Sequence, residues 1–302
     1  MSAITTGSFA KALWPGVNAW YGKSYNEYQP EWDKLFEKNT SKKNFEEDVG
    51  YSSFGLAAIK AEGAPITYDS ARQGFTTRYQ HVVYALGFQI TRETYEDDLY
   101  DVIGKKKANA LARSMRVSKE ITAANVYNRA TTAGYTGGDG IVLLSASHLR
   151  VSGGLYSNII GTTADLSEAS LEQATIDIEG FTDDRGLIIA AKPKQLIIPR
   201  QLRFEAYRIL KSEGRVGTEL NDPNAIKALG VYGEPTVNHF LTDTDAWFIR
   251  TDVQDGMKYF ERRGDQFEMD NDFDTENAKF KATARYSFGW SDPRGIYGSM
   301  GA

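Results

Sequence analysis

TYEDDLYDVIGKKKANALARSMRVSKEITAANVYNRAT, residues 94–131, is the stretch that decides the fold. Its apolar residues recur at intervals of three, four and seven, which predicts one long helix. Thr94, with Asp97 three residues later, is typical of a capping box, and the acidic residues beside Asp97 suit the positive end of the helix dipole. Gly134 predicts the end of the helix, because glycine readily adopts the left-handed conformation of a helix stop.

The periodic residues predict a main buried face and a second, shorter apolar line. The main face comprises Leu99, Ile103, Ala110, Ser114, Val117, Ile121 and Ala124. Leu111 and Met115 form the second line, so we expect packing on two sides. At ~1.5 Å per residue the helix would span roughly 55 Å, which suits a spine. Gly104 predicts a kink or break, since glycine destabilises a helix by about 1 kcal/mol relative to alanine.

The composition is that of a globular protein. The chain has 302 residues, of which 41% are hydrophobic and 25% charged, and this length predicts two lobes rather than one. The absence of cysteine excludes disulfides, thiolate catalysis and zinc ribbons. His81, His148 and His239 lie far apart without the spacing of a metal motif, so we expect no metal site and no cofactor.

Neither the N-terminus nor any apolar segment indicates a membrane or an exported protein. Residues 1–16, MSAITTGSFAKALWPG, lack the basic region and apolar run of a signal peptide, and no segment has the ~18 apolar residues of a membrane span. We therefore expect a soluble protein. The formal charge of -5 argues against nucleic-acid binding over the whole surface, but it is compatible with one local basic patch.

Residues 1–50 predict an N-terminal arm, because many large aromatic side chains alternate with polar residues without a sustained period. Exposed aromatic patches are unfavourable in a soluble monomer, so such an arm needs a surface on which to lie. The sequence leaves two surfaces open. The arm packs on its own chain, or it packs on a neighbouring copy.

Residues 51–84 predict a long β-hairpin with a broad, polar tip. Phe54, Leu56 and Ala58 alternate on the outgoing strand, and TTRYQHVVY (76–84) alternates on the return. The intervening AEGAPITYDSARQGF (61–75) is rich in turn residues. A two-stranded hairpin is marginally stable alone in water, which indicates that another subunit supports this one.

The rest of the chain predicts a mixed lobe followed by β structure. In residues 133–255, helices alternate with buried strands at 195–198 and 246–250, which favours a lobe built around one sheet. Residues 256–302 return to β structure, with clear alternation over 278–290. We expect these last strands to lie beside the long helix and the base of the hairpin.

No motif for catalysis or for cofactor binding is convincing. The glycines of GGDG (137–140) are not followed by the Lys-Ser/Thr pair of a P-loop. Ser145, Ser147 and His148 lie close in sequence but without a GxSxG elbow, so a hydrolase that combines one of these serines with His148 and an aspartate is the weaker alternative. The acidic run EMDNDFDTEN (268–277) lacks the central glycine of a calcium loop and predicts a solvated turn.

A resemblance to a known family rests on four segments in a fixed order. They are GFQITRETYEDD (87–98), DGIVLLSASH (139–148) with the later Ser157-Asn158, AKPKQLIIPRQLRFEAYRIL (191–210) and RYSFGWSDPRGIYGS (285–299). In these segments the sequence resembles the major capsid protein of tailed bacteriophages with the Hong Kong 97-like fold. Within that family it is most similar to the Mu-like prophage major head subunit group.

The resemblance implies an α+β fold with named parts. These are an N-terminal arm (1–50), an extended loop that is a β-hairpin (51–84), a peripheral domain with the spine helix (85–132 and 256–302) and a mixed α/β axial domain (133–255). It also implies a structural protein rather than an enzyme. Such proteins assemble as hexamers and pentamers into an icosahedral shell.

The resemblance further implies the partners and the location of the protein. The expected partners are copies of itself, portal and scaffold proteins, a decoration or cement protein, and packaged double-stranded DNA bound without sequence specificity. Membranes are not expected among them. The expected location is the virion, after assembly in the cytoplasm of the bacterial host. An encapsulin-type compartment that stores a cargo enzyme is the nearest alternative within the same fold.

Two sets of candidate residues follow from these expectations. The candidates for contact between subunits are Trp14, Trp20, Phe54, Leu56, Ile59, Lys60, Phe75 and Tyr79. The candidates for a basic surface facing the lumen and its DNA are Lys105, Lys106, Lys107, Arg113, Arg116 and Lys119. Repeated contacts through an arm and a hairpin build rings and closed shells, which agrees with the first set.

Overall fold

The computed structural model describes residues 10–96, 100–214, 223–272 and 277–302. Its helices are α1 (Ala10–Tyr25), α2 (Arg92–Glu96), α3 (Tyr100–Asn128), α4 (Glu168–Glu179), α5 (Arg203–Lys211) and α6 (Ala225–Leu229). Its strands are β1 (Glu37–Thr40), β2 (Phe45–Tyr51), β3 (Gln73–Gln80), β4 (Val82–Ile90), β5 (His148–Leu149), β6 (Leu155–Tyr156), β7 (Pro193–Pro199), β8 (Thr236–Asn238), β9 (Trp247–Thr251), β10 (Met257–Asn271), β11 (Ala278–Trp290) and β12 (Ile296–Ser299).

The first sheet has the strand order β1-β10-β11-β4 and is built around a long antiparallel ladder. β10 and β11 pair from Met257 opposite Trp290 to Asn271 opposite Ala278, and β4 pairs with the far edge of β11. β1 adds a parallel edge to β10. β11 alternates as its sequence predicts, because successive side chains of a strand point to opposite faces of the sheet. Its buried side chains include Phe280, Ala282, Ala284 and Tyr286.

Helix α3 packs on this sheet as a spine, but with a face that the sequence did not predict. Leu111, Met115 and Tyr127 are buried, whereas Ile121 of the predicted main face is 44% exposed. The buried line was obscured by Lys119, which occupies a core position on it with aromatic and carboxylate partners. The predicted second line, Leu111 and Met115, therefore belongs to the true core face.

The bounds of the helical region also differ from the prediction. Thr94 lies inside α2 and does not cap the long helix; the hydroxyl of Thr91 instead accepts the Thr94 backbone N–H at 3.4 Å. Asp97 lies outside the described residues. α3 continues through Gly104, so the helix is not broken there. Gly134 does have the left-handed φ of +91°, six residues after the helix ends.

Among the described residues, α1 and the segment that follows it through Phe36 pack on the same chain rather than forming a free arm. α1 lies against α3, and Trp32 and Phe36 are buried in the core between α3 and the first sheet. The buried carboxylate of Glu120 accepts the backbone N–H groups of Glu31 at 2.9 Å and Trp32 at 3.0 Å. Docking on a neighbouring copy is therefore wrong for these aromatic residues, because their surface is already covered.

The second sheet has the order β12-β9-β7-β8 and carries the mixed part of the chain. The predicted strands at 195–198 and 246–250 correspond to β7 and β9. α4, α5 and α6 contribute Leu171, Ile209 and Ile226 to the core around this sheet. One boundary needs correction: β12 pairs with β9, so Ile296–Ser299 belongs to the second sheet and not to the first.

The predicted hairpin exists, but its outgoing strand lies earlier in the chain. β2 pairs with β3 from Phe45 opposite Gln80 to Tyr51 opposite Gln73. Phe54, Leu56 and Ala58 lie in irregular structure instead of a strand. The alternation of these three residues was misleading because none of them has a buried face to fill. We call residues 52–72 the hairpin tip.

The two sheets meet where two glycines cross at van der Waals contact. Gly256 precedes β10 and Gly295 precedes β12. A Cβ atom added to Gly295 would lie 2.4 Å from the Cα of Gly256, and one added to Gly256 would lie 2.9 Å from the Cα of Gly295. Only glycine permits such an approach of two backbones. The contact therefore fixes the path of the chain where it passes from the second sheet into β10 and where it returns as β12.

We expect the Gly295→Ala substitution to lower the free energy of unfolding by about 3 kcal/mol, since backbone cannot rotate away from the new methyl group. Urea denaturation followed by circular dichroism measures this loss. Gly161→Ala is the matched control, because a Cβ there meets nothing within 4 Å. The control should stay within about 0.5 kcal/mol of the wild type. Equal stability of the two variants would show that the crossing is not constrained.

Candidate assembly surfaces

The hairpin tip presents apolar side chains to solvent. Leu56 is 84% exposed, Tyr68 is 86% exposed, and Ile59 is fully exposed. Phe54 and Ile66 are also among the exposed large apolar residues. Contiguous exposed apolar groups on one protrusion are uncommon in a monomer and mark an interaction surface.

The base of the hairpin is fixed to the first sheet by a buried ion pair. Asp48 of β2 accepts from the ammonium of Lys258 at 2.6 Å and from the hydroxyl of Ser291 at 2.6 Å. Asp255 lies 2.6 Å from the same ammonium. Burial acts to lower the pKa of Lys258, but the two carboxylates outweigh it and the pKa is raised. The base is therefore a rigid support for the tip.

The two arms of the tip are joined by Asp69. Its carboxylate accepts the backbone N–H of Gly55 at 2.8 Å and that of Ser70 at 2.8 Å. These hydrogen bonds lower the pKa of Asp69, and the nearby Arg185 adds to the effect. Ser52 joins the two arms a second time, nearer the base of the hairpin, because its hydroxyl accepts the Arg72 backbone N–H at 2.8 Å. The tip thus has internal order without regular secondary structure.

The predicted contact residues separate into exposed and buried groups. Phe54, Leu56, Ile59 and Lys60 lie exposed on the tip, and Phe75 is 37% exposed on β3.

Two predicted contacts are not free for another subunit, and one lies outside the described side chains. Tyr79 is only 3% exposed and its hydroxyl lies 2.6 Å from that of Ser291, so its assignment to an interface was wrong. Trp20 is half-buried against the chain's own core beside Phe280. The side chain of Trp14 lies outside the described side chains.

Further exposed apolar residues lie on the helices and turns around the second sheet, where no contact between subunits was predicted. They are Ile176, Ile188, Phe204, Tyr207 and Leu229. Phe204 and Tyr207 lie on α5, whose opposite face is buried through Ala206, Ile209 and Leu210. A helical wheel of α5 alone would have shown apolar residues on both faces, which is the signal that was missed.

The predicted basic surface retains four of its six members. Lys105, Lys106, Lys107 and Arg113 are exposed on α3. These four side chains form the basic stripe, the name we use below for this group.

Arg116 and Lys119 do not belong to the basic stripe. The guanidinium of Arg116 lies 4.7 Å from the ring centre of Tyr28 and is half-buried. Lys119 is buried with its ammonium 4.3 Å from the ring centre of Trp32 and 3.7 Å from the carboxylate of Glu261. Burial lowers the pKa of Lys119, and Glu261 opposes that effect. Its assignment to a lumen surface was wrong, because the ammonium stabilises the core.

The histidine of the hydrolase alternative has a structural environment. His148 is fully buried, with Nδ1 2.7 Å from a carboxylate oxygen of Asp139 and Nε2 3.3 Å from the carbonyl oxygen of Leu143. Both ring nitrogens are therefore occupied, and the hydroxyls of Ser145 and Ser147 hydrogen-bond each other at 3.1 Å. A general base needs a free ring nitrogen facing the nucleophile, so this arrangement does not support a hydrolase.

A cleft of about 280 Å³ between the hairpin base and the second sheet has mixed charge. Five aspartates line it, namely Asp48, Asp139, Asp184, Asp255 and Asp292. Lys258 pairs with Asp48 and Asp255, and Arg294 pairs with Asp292. Within the described ranges, no group of histidine, cysteine and acidic side chains has the geometry to hold a metal ion. No described helix is both long and apolar enough to cross a bilayer.

Comparison with known proteins points to one kind of assembly. A family model described as phage capsid protein matches residues 74–299. No curated protein sequence matches the chain significantly.

Three solved structures illustrate the shared fold. The virus-like particle of Pyrococcus furiosus matches with a TM-score of 0.55 at 10% identity, over 94% of this chain and 98% of that one. The capsid of a native GTA particle gives 0.55 at 12% identity over 90% of each chain. Microbacterium phage Oxtober96 gives 0.53 at 10% identity, over 91% and 92%. At such identities the likeness concerns the fold.

Proposed function

The chain belongs to the phage capsid protein family, and we propose that its copies assemble as hexamers and pentamers into an icosahedral shell around the double-stranded DNA of a tailed bacteriophage. The family and the fold together make it a major capsid protein with the predicted Hong Kong 97-like fold, located in the capsid of the virion. It is a structural protein, as the family predicts. The closer assignment to the Mu-like group stays a prediction.

The observation that carries the proposal is the exposed apolar tip on a rigid base. Burying apolar surface contributes about 25 cal/mol per Å², so Leu56, Ile59 and Tyr68 favour association with a complementary surface. The tip and the surface that receives it on a neighbouring copy would be two different patches of the subunit. Contact between two different patches is heterologous, and repeated heterologous contacts close into rings.

Each part of the subunit has a role in the proposed shell. The first sheet with α3 forms the peripheral domain, and the body around the second sheet forms the axial domain that meets its copies at the capsomer centre. Phe204 and Tyr207 of α5 supply apolar surface for that meeting. Portal, scaffold and decoration or cement proteins are further partners, and assembly takes place in the cytoplasm of the bacterial host.

The basic stripe supports contact with packaged DNA. Lys105, Lys106, Lys107 and Arg113 place four positive charges on one helix of a protein whose formal charge is -5. Phosphate neutralisation by lysine and arginine requires no base sequence, which suits a shell that holds any genome. We assign the stripe to the lumen.

The encapsulin alternative shares the fold but has less support. A virus-like particle and phage capsids both resemble this chain at about the same TM-score, so the fold does not separate the two. The family model separates them, because it describes phage capsid proteins and covers residues 74–299. We therefore favour the phage head over the storage compartment.

The double substitution Leu56→Ser and Ile59→Ser should abolish most shell formation without unfolding the subunit. Both side chains are exposed in the subunit, so their loss affects only the surface offered to a neighbour. We expect the yield of shells, counted by negative-stain electron microscopy, to fall about tenfold or more. Glu62→Ser on the same tip is the matched control and should assemble like the wild type. Normal shells from the double variant would remove the tip from the assembly interface.

Replacing the basic stripe with glutamine should reduce DNA packaging while empty shells still form. The reason is the loss of four phosphate contacts per subunit from the lumen. The measurement is the length of DNA protected from nuclease in purified particles. The control replaces four exposed cations of the second body that lie outside α5, Lys192, Lys194, Arg200 and Lys227, with glutamine. If both variants package a full genome, the basic stripe does not face DNA.

A further inference from the structure

We propose that Arg185 is a positioning residue for assembly: its guanidinium clamps both arms of the hairpin tip and presets the tip for docking. This inference rests on the proposed function, which makes the tip an assembly surface. Arg185 lies in the turn between α4 and β7, far from the tip in sequence. The sequence alone gave no indication of a role for this arginine.

The guanidinium binds groups on both arms. On the outgoing arm, its Nε donates to the carbonyl oxygen of Ser53 at 3.2 Å. On the returning arm, its Nη2 donates to the carbonyl oxygen of Ser70 at 2.8 Å and to a carboxylate oxygen of Asp69 at 3.3 Å. The fixed fork of arginine donors suits this task, since one planar group reaches three acceptors in a set geometry.

The turn that carries Arg185 is itself built to be rigid. One carboxylate oxygen of Asp183 accepts the backbone N–H groups of Arg185 and Leu187, each at 2.8 Å. The Asp183 backbone N–H donates to the carbonyl oxygen of Leu187 at 2.7 Å, and Gly186 has a φ of +83° that favours glycine. The side chain of Arg185 therefore starts from a fixed position.

Asp183 also binds the tip directly. Its second carboxylate oxygen accepts the hydroxyl of Ser53 at 2.5 Å. Partial burial acts to raise the pKa of Asp183, but this hydrogen bond and those from the backbone outweigh it. The turn thus grips the outgoing arm at Ser53 twice, once by the carboxylate and once by the guanidinium.

The clamp completes a two-point support for the tip. The base of the hairpin is held by Asp48 and Lys258 on the first sheet, and the arms are held by Arg185 from the second body. The tip itself, residues 52–72, lacks regular strand pairing, so without Arg185 its arms would sample more conformations. Ordering an interface before binding removes part of the entropy lost on association, which raises the association rate and the affinity.

The direct test compares wild-type and Arg185→Ala subunits below the concentration at which shells form. Trypsin cleavage after Lys60, which is exposed on the tip, reports opening of the loop and is quantified by mass spectrometry. We expect roughly fivefold faster cleavage in Arg185→Ala with an unchanged thermal midpoint. Shell formation followed by light scattering should be slower by a similar factor.

Two further variants separate the clamp from a loss of charge. Arg185→Lys keeps the charge but reaches the two arms with one ammonium, so we expect cleavage between that of the wild type and Arg185→Ala. Arg208→Ala removes a more exposed arginine whose ion pair is with Glu205 on α5, and it should cleave like the wild type.

The outcomes distinguish this inference from the function on which it rests. Equal cleavage after Lys60 in wild-type and Arg185→Ala subunits would overturn the clamp, whatever the assembly result. A wild-type chain that forms no shells or capsomer rings under any condition would instead contradict the proposed function. Faster cleavage with slower assembly in Arg185→Ala, and cleavage at the wild-type rate in Arg208→Ala, would support the clamp.

Discussion

The subunit depends on the crossing of two backbones at Gly256 and Gly295. At this point the chain leaves the body around the second sheet to begin β10, and later returns to it as β12. Because the two backbones touch, the sheets share one continuous core that includes Tyr259 of the first and Phe248 of the second. A rigid body follows, and a rigid body is what allows a protruding hairpin to be held at two separate points.

The sequence predicted the elements better than their faces. The spine helix, the β10–β11 ladder and strands β7 and β9 were evident, because strong periodicity in long segments survives in most tertiary contexts. The core face of α3 was not, since Lys119 and Glu120 occupy core positions that a hydrophobic pattern reads as solvent. Both become tolerable only through partners from distant segments, namely aromatic rings for Lys119 and the Glu31 and Trp32 backbone for Glu120.

The sequence was also an incomplete guide to which side chains are exposed and which are held in place. Tyr79 lies on a strand predicted to protrude, yet its ring is covered by the chain's own sheet beside Phe260. Arg185 had no motif that a sequence reader could use, because its acceptors are carbonyl groups more than a hundred residues away. The exposure of Leu56 and Ile59, by contrast, agrees with their predicted place on the hairpin, next to a turn-rich segment. Local composition predicts exposure, whereas long-range contacts decide which exposed residues are positioned.

A capsid protein needs few catalytic or ligand-binding groups. Its function depends on the surface that the isolated subunit leaves exposed. This chain covers Tyr21, Trp32 and Phe36 with its own core and leaves the hairpin tip uncovered. The most direct test of the account is a cryo-electron microscopy structure of the assembled particle. The proposed assembly requires that Leu56 and Ile59 of each copy be buried against an adjacent copy, with the basic stripe facing the lumen. A shell in which the tip remains solvated and makes no contact with a neighbour would contradict it.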